Sequence, residues 1–525
     1  MSTVKVKNSS LARSAATVSA ATAFSRVLGL VREQVMAYFF GAGMATDAFV
    51  TAFRIPNLLR DMFAEGALSS AFVPVFKEKL VKDSEQGAFQ LGNTVLTAVA
   101  LLVVLIVLLG IVAAPILIYL FANGFTAIPE KFALTVSLTR IMFVYLLLVS
   151  VSAMIMGMLN SFGRFGIPAV SPALFNLGVV LSVIALYRYF DQPVYTLAIG
   201  VLVGGVGQVA IQLPALWRIG YRFRPRINFL DEGVKKVARL MTPMIVGLSA
   251  GRINILVNTL LASFLMPGSI SYLNYSYRLI HFPLGVFAVA LGTVALPKVS
   301  EMVARKDIDR LSSTYMETIN LNMFVVIPSA VFLALMGRQI IDLIYQWGAF
   351  SELDSFRTSQ ALLHYAYGLI GFAGIRVTVP FYYAFGDSRL PMRISILAVS
   401  VNMALYYPMI KILDFAGLAA AVSIGGIVNF VILLAYLPTK GVAVPWGKLG
   451  LNLVRIAVAS LLAFQIALLL PYRFATAPTV TNRLLSLFVP AAVAALLYVL
   501  FCFLLRVREV KRLWSFILRK RRPQG

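Results

Sequence analysis

The chain has 525 residues, of which 60% are hydrophobic and only 13% charged, and its mean hydropathy is +0.87. Soluble domains carry roughly 25% charged residues, and a water-soluble fold of this composition would expose large apolar patches, so the bilayer is its solvent. The formal charge of +25 would suggest nucleic acid in a soluble protein. Here the basic residues lie mostly between apolar runs, where cytoplasmic loops and anionic headgroups account for them, and no nucleic-acid role is expected.

The N-terminal stretch 5–24 sets Lys5, Lys7 and Arg13 before an Ala/Ser/Thr run without a leucine-rich core, so no cleaved signal is expected. A membrane span needs roughly 20 mostly apolar residues. By that rule about fourteen segments qualify, near 15–40, 45–76, 91–121, 132–161, 165–187, 194–218, 237–266, 271–302, 313–340, 355–385, 390–413, 415–438, 449–471 and 484–505. The predicted fold is therefore an all-α polytopic membrane protein. The first two segments are the least apolar; they hold Arg26, Arg32, Asp47, Arg54, Arg60, Asp61 and Glu65.

Loop charge predicts the orientation. With the N-terminus inside, the cytoplasmic connections carry Lys77, Lys79 and Lys82, then Arg218 to Lys236, then Lys298 to Arg310, then Arg389 and Arg393, and the tail adds Arg506 to Arg522. Loops 41–46 and 267–270 on the other side have no Lys or Arg. This satisfies the positive-inside rule with both termini cytoplasmic.

The chain also repeats itself. Phe162-Gly163-Arg164 matches Phe385-Gly386-Asp387, Gly204-Gly205-Val206 matches Gly425-Gly426-Ile427, and Phe53-Arg54-Ile55 matches Tyr277-Arg278-Leu279. The offsets agree at about 221 to 224 residues, a repeat signal. Six spans separate the copies, so they share orientation, which predicts two parallel six-helix lobes with a substrate site between them. The expected division is 1–225 for the first lobe, 226–440 for the second and 441–525 for two additional helices and a basic tail.

Arginine at the middle of a span costs roughly 2.5–3.5 kcal/mol on the insertion scale. Arg26, Arg32, Arg54, Arg60, Arg278 and Arg376 all fall within predicted spans. That cost falls if they face a water-filled cavity and meet an anion, and the planar guanidinium suits phosphate or carboxylate in two-bond contacts. The matched pair Arg54 and Arg278 places one guanidinium in each predicted lobe. Structural ion pairing is the competing explanation, because Asp47 and Asp61 each lie two helical turns from Arg54 and share its face. Asn57, Glu65, Asn160, Asn176, Gln208 and Asn402 are weaker candidates for lining a cavity. Cys502 is the single cysteine and His281 and His364 the only histidines, so a cysteine metal site is excluded and no cofactor is expected. Neither HExxH nor the Walker A pattern occurs; the expected activity is transport and not catalysis.

The stretch from Phe24 to Arg32 (FSRVLGLVR), Phe40 to Phe49 (FGAGMATDAF), Pro56 to Arg60 (PNLLR) and Phe63 to Ala67 (FAEGA) resembles the MurJ (MviN) family of lipid II flippases. Tyr277-Arg278-Leu279 with Phe282-Pro283, and Ile375-Arg376 through Phe385, look like that family's eighth and tenth spans. The resemblance implies the fold of the multidrug/oligosaccharidyl-lipid/polysaccharide (MOP) exporter superfamily. It implies export of lipid II, an undecaprenyl-pyrophosphate-linked disaccharide-peptide, from the cytoplasmic to the outer leaflet of the bacterial inner membrane for cell-wall synthesis and cell shape. Arg26, Arg32, Arg60 and Arg278 are implied to bind substrate, and Asp47 corresponds to the family's acid at the start of span two; Arg54 and Arg376, at positions where other members carry Lys, are expected to join the binding set, and Asp47, Glu65, Ser25 and Asn57 to gate or tune charge. Implied partners are lipid II, membrane lipids and cell-wall synthesis or division proteins. An O-antigen-type flippase stays open as the alternative, because its cargo also carries a pyrophosphate. Tyr277 and His281 stand beside Arg278 where some relatives have acids, and Arg252 matches no family motif.

Overall fold

A computed structural model of the chain describes residues 8–61, 68–250, 253–470 and 479–510. It is helical throughout, with nineteen α-helices and no strand among the described residues. The chain divides into two compact units, Met1–Ser271 and Tyr272–Gly525.

The first unit contains α1 (Asn8–Phe40), α2 (Met44–Arg60), α3 (Ser69–Lys82), α4 (Glu85–Phe121), α5 (Pro129–Ser161), α6 (Gly166–Leu186), α7 (Tyr195–Ala210), α8 (Leu213–Arg218), α9 (Glu232–Ala250) and α10 (Ile253–Ser263). Helix α4 begins six residues before the predicted span because Ser84 caps it, accepting the Gly87 N–H at 3.0 Å. Helices α6 and α7 pack along each other, and so do α2 and α5. The close approach of α6 to α7 uses Gly178 and Gly204, where an added Cβ would run into the facing backbone. A core of Phe72, Phe76, Met158 and Tyr221 closes one end of this unit.

The second unit follows from α11 (Ser269–Pro283), whose first residues still belong to the first unit, through α12 (Val289–Ala304), α13 (Ile308–Leu335), α14 (Gly337–Ile344), α15 (Glu352–Ala384), α16 (Arg389–Leu413) and α17 (Ala416–Tyr436) to α18 (Trp446–Leu469) and α19 (Val480–Leu504). Helices α15 and α17 pack through Gly371 and Gly426. The last pair, α18 and α19, joins the same core: Ile456, Tyr498 and Cys502 sit with Met323 and Phe381.

Among the described residues each predicted span coincides with one helix or with two successive helices. Among the described residues ten helices are long and apolar enough to cross a membrane. The other four predicted spans are α1, the α2/α3 pair, the α9/α10 pair and the α11/α12 pair. In the last, Pro283 lacks the N–H that would satisfy the Leu279 carbonyl, and a π-helical turn at Leu284–Ala288 follows at once. Helix α14 was not expected as a separate element; the predicted segment 313–340 ends inside it, after α13 stops at Leu335.

Candidate functional site

The first unit carries most of the candidate residues, on α1 and α2. Arg26 is exposed, and Ser25, beside it, accepts a hydrogen bond at its carbonyl from Asn176 Nδ2 at 3.1 Å. That bond fixes α1 against α6 at the level of the arginine. Two turns on, Arg32 is half-buried; it donates to Glu33 Oε1 at 2.5 Å and lies over the Phe175 ring at 5.4 Å. Arg32 is thus held by a carboxylate and an aromatic face together.

Helix α2 places Arg54, Asn57 and Arg60 along its length, all half-buried. Arg54 donates to the Thr259 hydroxyl on α10. Arg60, at the end of the helix, pairs with Asp61 at 2.9 Å. Glu65 and Arg252 lie outside the described residues.

Asp47 is the most enclosed of the candidates, at 1% exposure. Its Oδ2 accepts from Lys131 Nζ at 2.8 Å and from the Gly268 N–H at 2.7 Å. Its Oδ1 accepts from the Ser271 N–H at 2.9 Å and the Ser271 hydroxyl at 2.7 Å. Asp47 therefore does not pair with Arg54, two turns away on its own helix; its partners come from α5 and from the 268–271 segment. A buried carboxylate with four donors is fully satisfied, and removing any one leaves a desolvated charge short of a bond.

In the second unit Arg278 and Arg376 are both exposed, and His281 lies within electrostatic reach of both guanidiniums. The imidazole also stands edge-on to Tyr277 at 4.5 Å. Pro380 on α15 deprives the Arg376 carbonyl of its helical partner, and Gly292 of α12 approaches that same carbonyl so closely that a Cβ there would collide with it. The backbone under Arg376 is thereby set by two helices. Two fixed positive charges beside an imidazole make a locus suited to an anion.

Sequence reasoning passed over two basic residues. Lys131 is buried at 3% exposure and is the partner of Asp47; it lay one residue before a predicted span and so read as a loop charge. Arg140 lies inside the fourth predicted span, yet it is exposed on the stripe of α5 that also exposes Val144. It donates Nε to the Ile111 carbonyl at 3.3 Å, the carbonyl that Pro115 leaves without a helical donor. The proline four residues after Ile111 was the available signal. Among the described residues no group of three or more His, Cys, Asp or Glu side chains could hold a metal ion.

Residues 36–489 match the family described as Lipid II flippase MurJ. The chain is 36% identical over 443 residues to a probable lipid II flippase MurJ of Vibrio cholerae, covering 82% of this chain and 84% of that protein. A solved structure of lipid II flippase MurJ in an inward closed conformation superposes with a TM-score of 0.77 at 26% identity, covering 93% of this chain and 98% of that one. An inward-facing multidrug resistance MATE family transporter of the MOP superfamily shares the fold, with a TM-score of 0.63 at 14% identity over 79% of this chain and 94% of its own. This multi-pass membrane protein belongs to the MurJ family of lipid II flippases.

Proposed function

We propose that this chain flips lipid II from the cytoplasmic to the outer leaflet of the bacterial inner membrane by alternating access, with both termini cytoplasmic, and that it does so as a transporter without a catalytic step. The lobes that alternate are 1–225 and 226–440, with 441–525 as an addition. The supporting observation is the kinship to lipid II flippases combined with guanidinium groups exposed inside helices, Arg26, Arg278 and Arg376. A pyrophosphate is the part of such a cargo that arginine forks grip best, and it keeps its charge at every physiological pH, as arginine does.

In this reading Arg26, Arg32, Arg60 and Arg278, joined by Arg54 and Arg376, bind the pyrophosphate and headgroup. Glu33 and Asp61 hold Arg32 and Arg60 in place until the anion arrives. Asp47 gates: its four bonds hold the 268–271 segment and the start of α5 to α2, and opening there requires them to be released together. Ser25, Asn57 and Glu65 tune the surroundings. Cell-wall synthesis or division proteins are proposed partners.

The experiment is depletion of the native protein with rescue by single Arg→Ala variants at 26, 32, 60 and 278. A lost charge-assisted hydrogen bond is worth about 1.5–3 kcal/mol, so each variant should bind lipid II about 10- to 150-fold more weakly and fail to restore its export. Normal growth and export from all four, at normal protein levels, would sink the site assignment. Co-purification of a different polyprenyl-pyrophosphate-linked oligosaccharide would redirect the cargo.

A further inference from the structure

Between α8 and α9 the chain is not helical. It is anchored at Tyr221, whose ring is fully buried and edge-on to Phe89 at 5.5 Å. From Arg222 to Leu230 every residue is exposed. The backbone is nevertheless fixed, because the Arg224 N–H donates to Asn93 Oδ1 and the Arg226 N–H to Thr97 Oγ1, each at 3.1 Å. Two extended residues advance about 6.6 Å and four helical residues about 6 Å, so the segment lies in register along α4. Alternate side chains of an extended chain share a side, which gathers Arg222, Arg224 and Arg226.

Their charge is not cancelled. Among the described residues no carboxylate pairs with Arg218, Arg222, Arg224 or Arg226. The acids that follow are occupied, Asp231 by the N–H groups of Gly233 and Val234 and Glu232 by Lys235. Arg226 reaches Gln90 Oε1 at 3.1 Å, and Arg222 donates to the Trp217 and Tyr221 carbonyls. Interleaved with the arginines are Trp217, Phe223, Ile227, Phe229 and Leu230, between 50% and 78% exposed.

Helix α4 supplies the depth. From Ala98 to Phe121 it contains no charged residue. Thr97 and Asn93 lie about 36 and 42 Å from Phe121 at 1.5 Å per residue. The hydrocarbon core is roughly 30 Å thick, and roughly 40–45 Å with headgroups. With Phe121 at one face of the bilayer, Arg224 and Arg226 stand in the headgroup layer of the other.

We propose that residues 217–230 form a binding site for anionic phospholipid headgroups, in which Arg222, Arg224 and Arg226 take the phosphate and Phe223, Ile227, Phe229 and Leu230 enter the acyl boundary. The occupant is the leaflet's own phospholipid and not the cargo, because the site is open along its whole length and sits at headgroup depth. The inference does not depend on which lipid is flipped.

The test uses the full chain in nanodiscs, with Phe229→Trp as reporter and brominated phosphatidylglycerol or brominated phosphatidylcholine as quencher. One surface arginine favours anionic lipid by about fivefold, so the anionic quencher should be preferred at least that much. The triple variant R222Q/R224Q/R226Q should lose the preference, and R222K/R224K/R226K should keep it. Should the triple glutamine variant not fold, the single variant R224Q, which leaves the backbone bond to Asn93 intact, should reduce the preference about fivefold. Equal quenching by the two lipids, or a preference that survives the glutamine variants, overturns the proposal. So does displacement of the anionic quencher by a trace of polyprenyl pyrophosphate, which would make this a cargo site.

Discussion

Asp47 shows how far a single residue can be read from sequence. Its place in the FGAGMATDAF stretch marks it as a functional acid, but its partners are 84 and 221 or more positions away, beyond any local pattern. Lys131 is buried against that carboxylate. Asp47→Asn should therefore destabilise the protein by about 3–5 kcal/mol, measured by thermal unfolding in detergent, while the double variant D47N/K131M should recover much of the loss. Equal destabilisation by the single and double variants would mean that the pair is not coupled. Arg140 makes the opposite case. A lipid-facing arginine costs roughly 2.5–3.5 kcal/mol, and a hydrogen bond from a charged group to a carbonyl returns about 1.5–3 kcal/mol. Arg140→Leu should thus leave stability unchanged or raise it by about 1 kcal/mol; a clear loss would show that Arg140 meets an anion in the membrane.

Among the elements, the long apolar helices were legible because periodicity and length suffice when lipid is the solvent. The π turn through which α11 passes into α12 was not, because the effect of Pro283 depends on what packs around it. The extended 221–228 segment was legible only as a basic loop, since its bonds to Asn93 and Thr97 are tertiary. Nearby, Glu78 of α3 joins α9 through Lys236 at 2.6 Å and also binds Lys82 at 3.0 Å. The Lys236 hydrogen bond, with help from Lys82, pulls the Glu78 carboxyl down from 4.5 to about 2. A depressed carboxylate stabilises the fold fully above its ordinary value and loses that contribution as pH falls from 4.5 towards 2. The pair is exposed, so salt screens it. Glu78→Gln should speed amide exchange in the first turn of α9 at neutral pH and low salt, and the difference should shrink at high salt; unchanged exchange would mean that α3 does not hold α9.

For the whole molecule, the internal repeat reappears in the buried acids. Asp47 and Ser271 stand about 224 positions apart, and Lys131 and Asp354 about 223. Where the first unit joins α2 to α5 through Asp47 and Lys131, the second joins α11 to α15 through Tyr272, whose hydroxyl donates to Asp354 Oδ1 at 2.9 Å. Asp354 also closes the capping box at Ser351. The position was duplicated while its acid changed sides, which is why matching residue types alone did not reveal it. Distant sites add to within about 0.5 kcal/mol, so D47N and D354N together should destabilise by the sum of their separate effects; a larger combined loss would show the two latches to be coupled. Among the described residues, every candidate arginine except Arg376 lies outside the ten long apolar helices. Those arginines bear on biosynthesis. Each of Arg26, Arg32, Arg54, Arg60 and Arg278 adds roughly 2.5–3.5 kcal/mol to the partition of its segment into lipid when placed at mid-span. That cost disfavours their entry into lipid one segment at a time. Helices α1 and α2 precede in the chain the helices they pack on, α6 and α5, so the insertion cost of their arginines is met only once α5 and α6 have been made, and that sets an order in which the chain can be built.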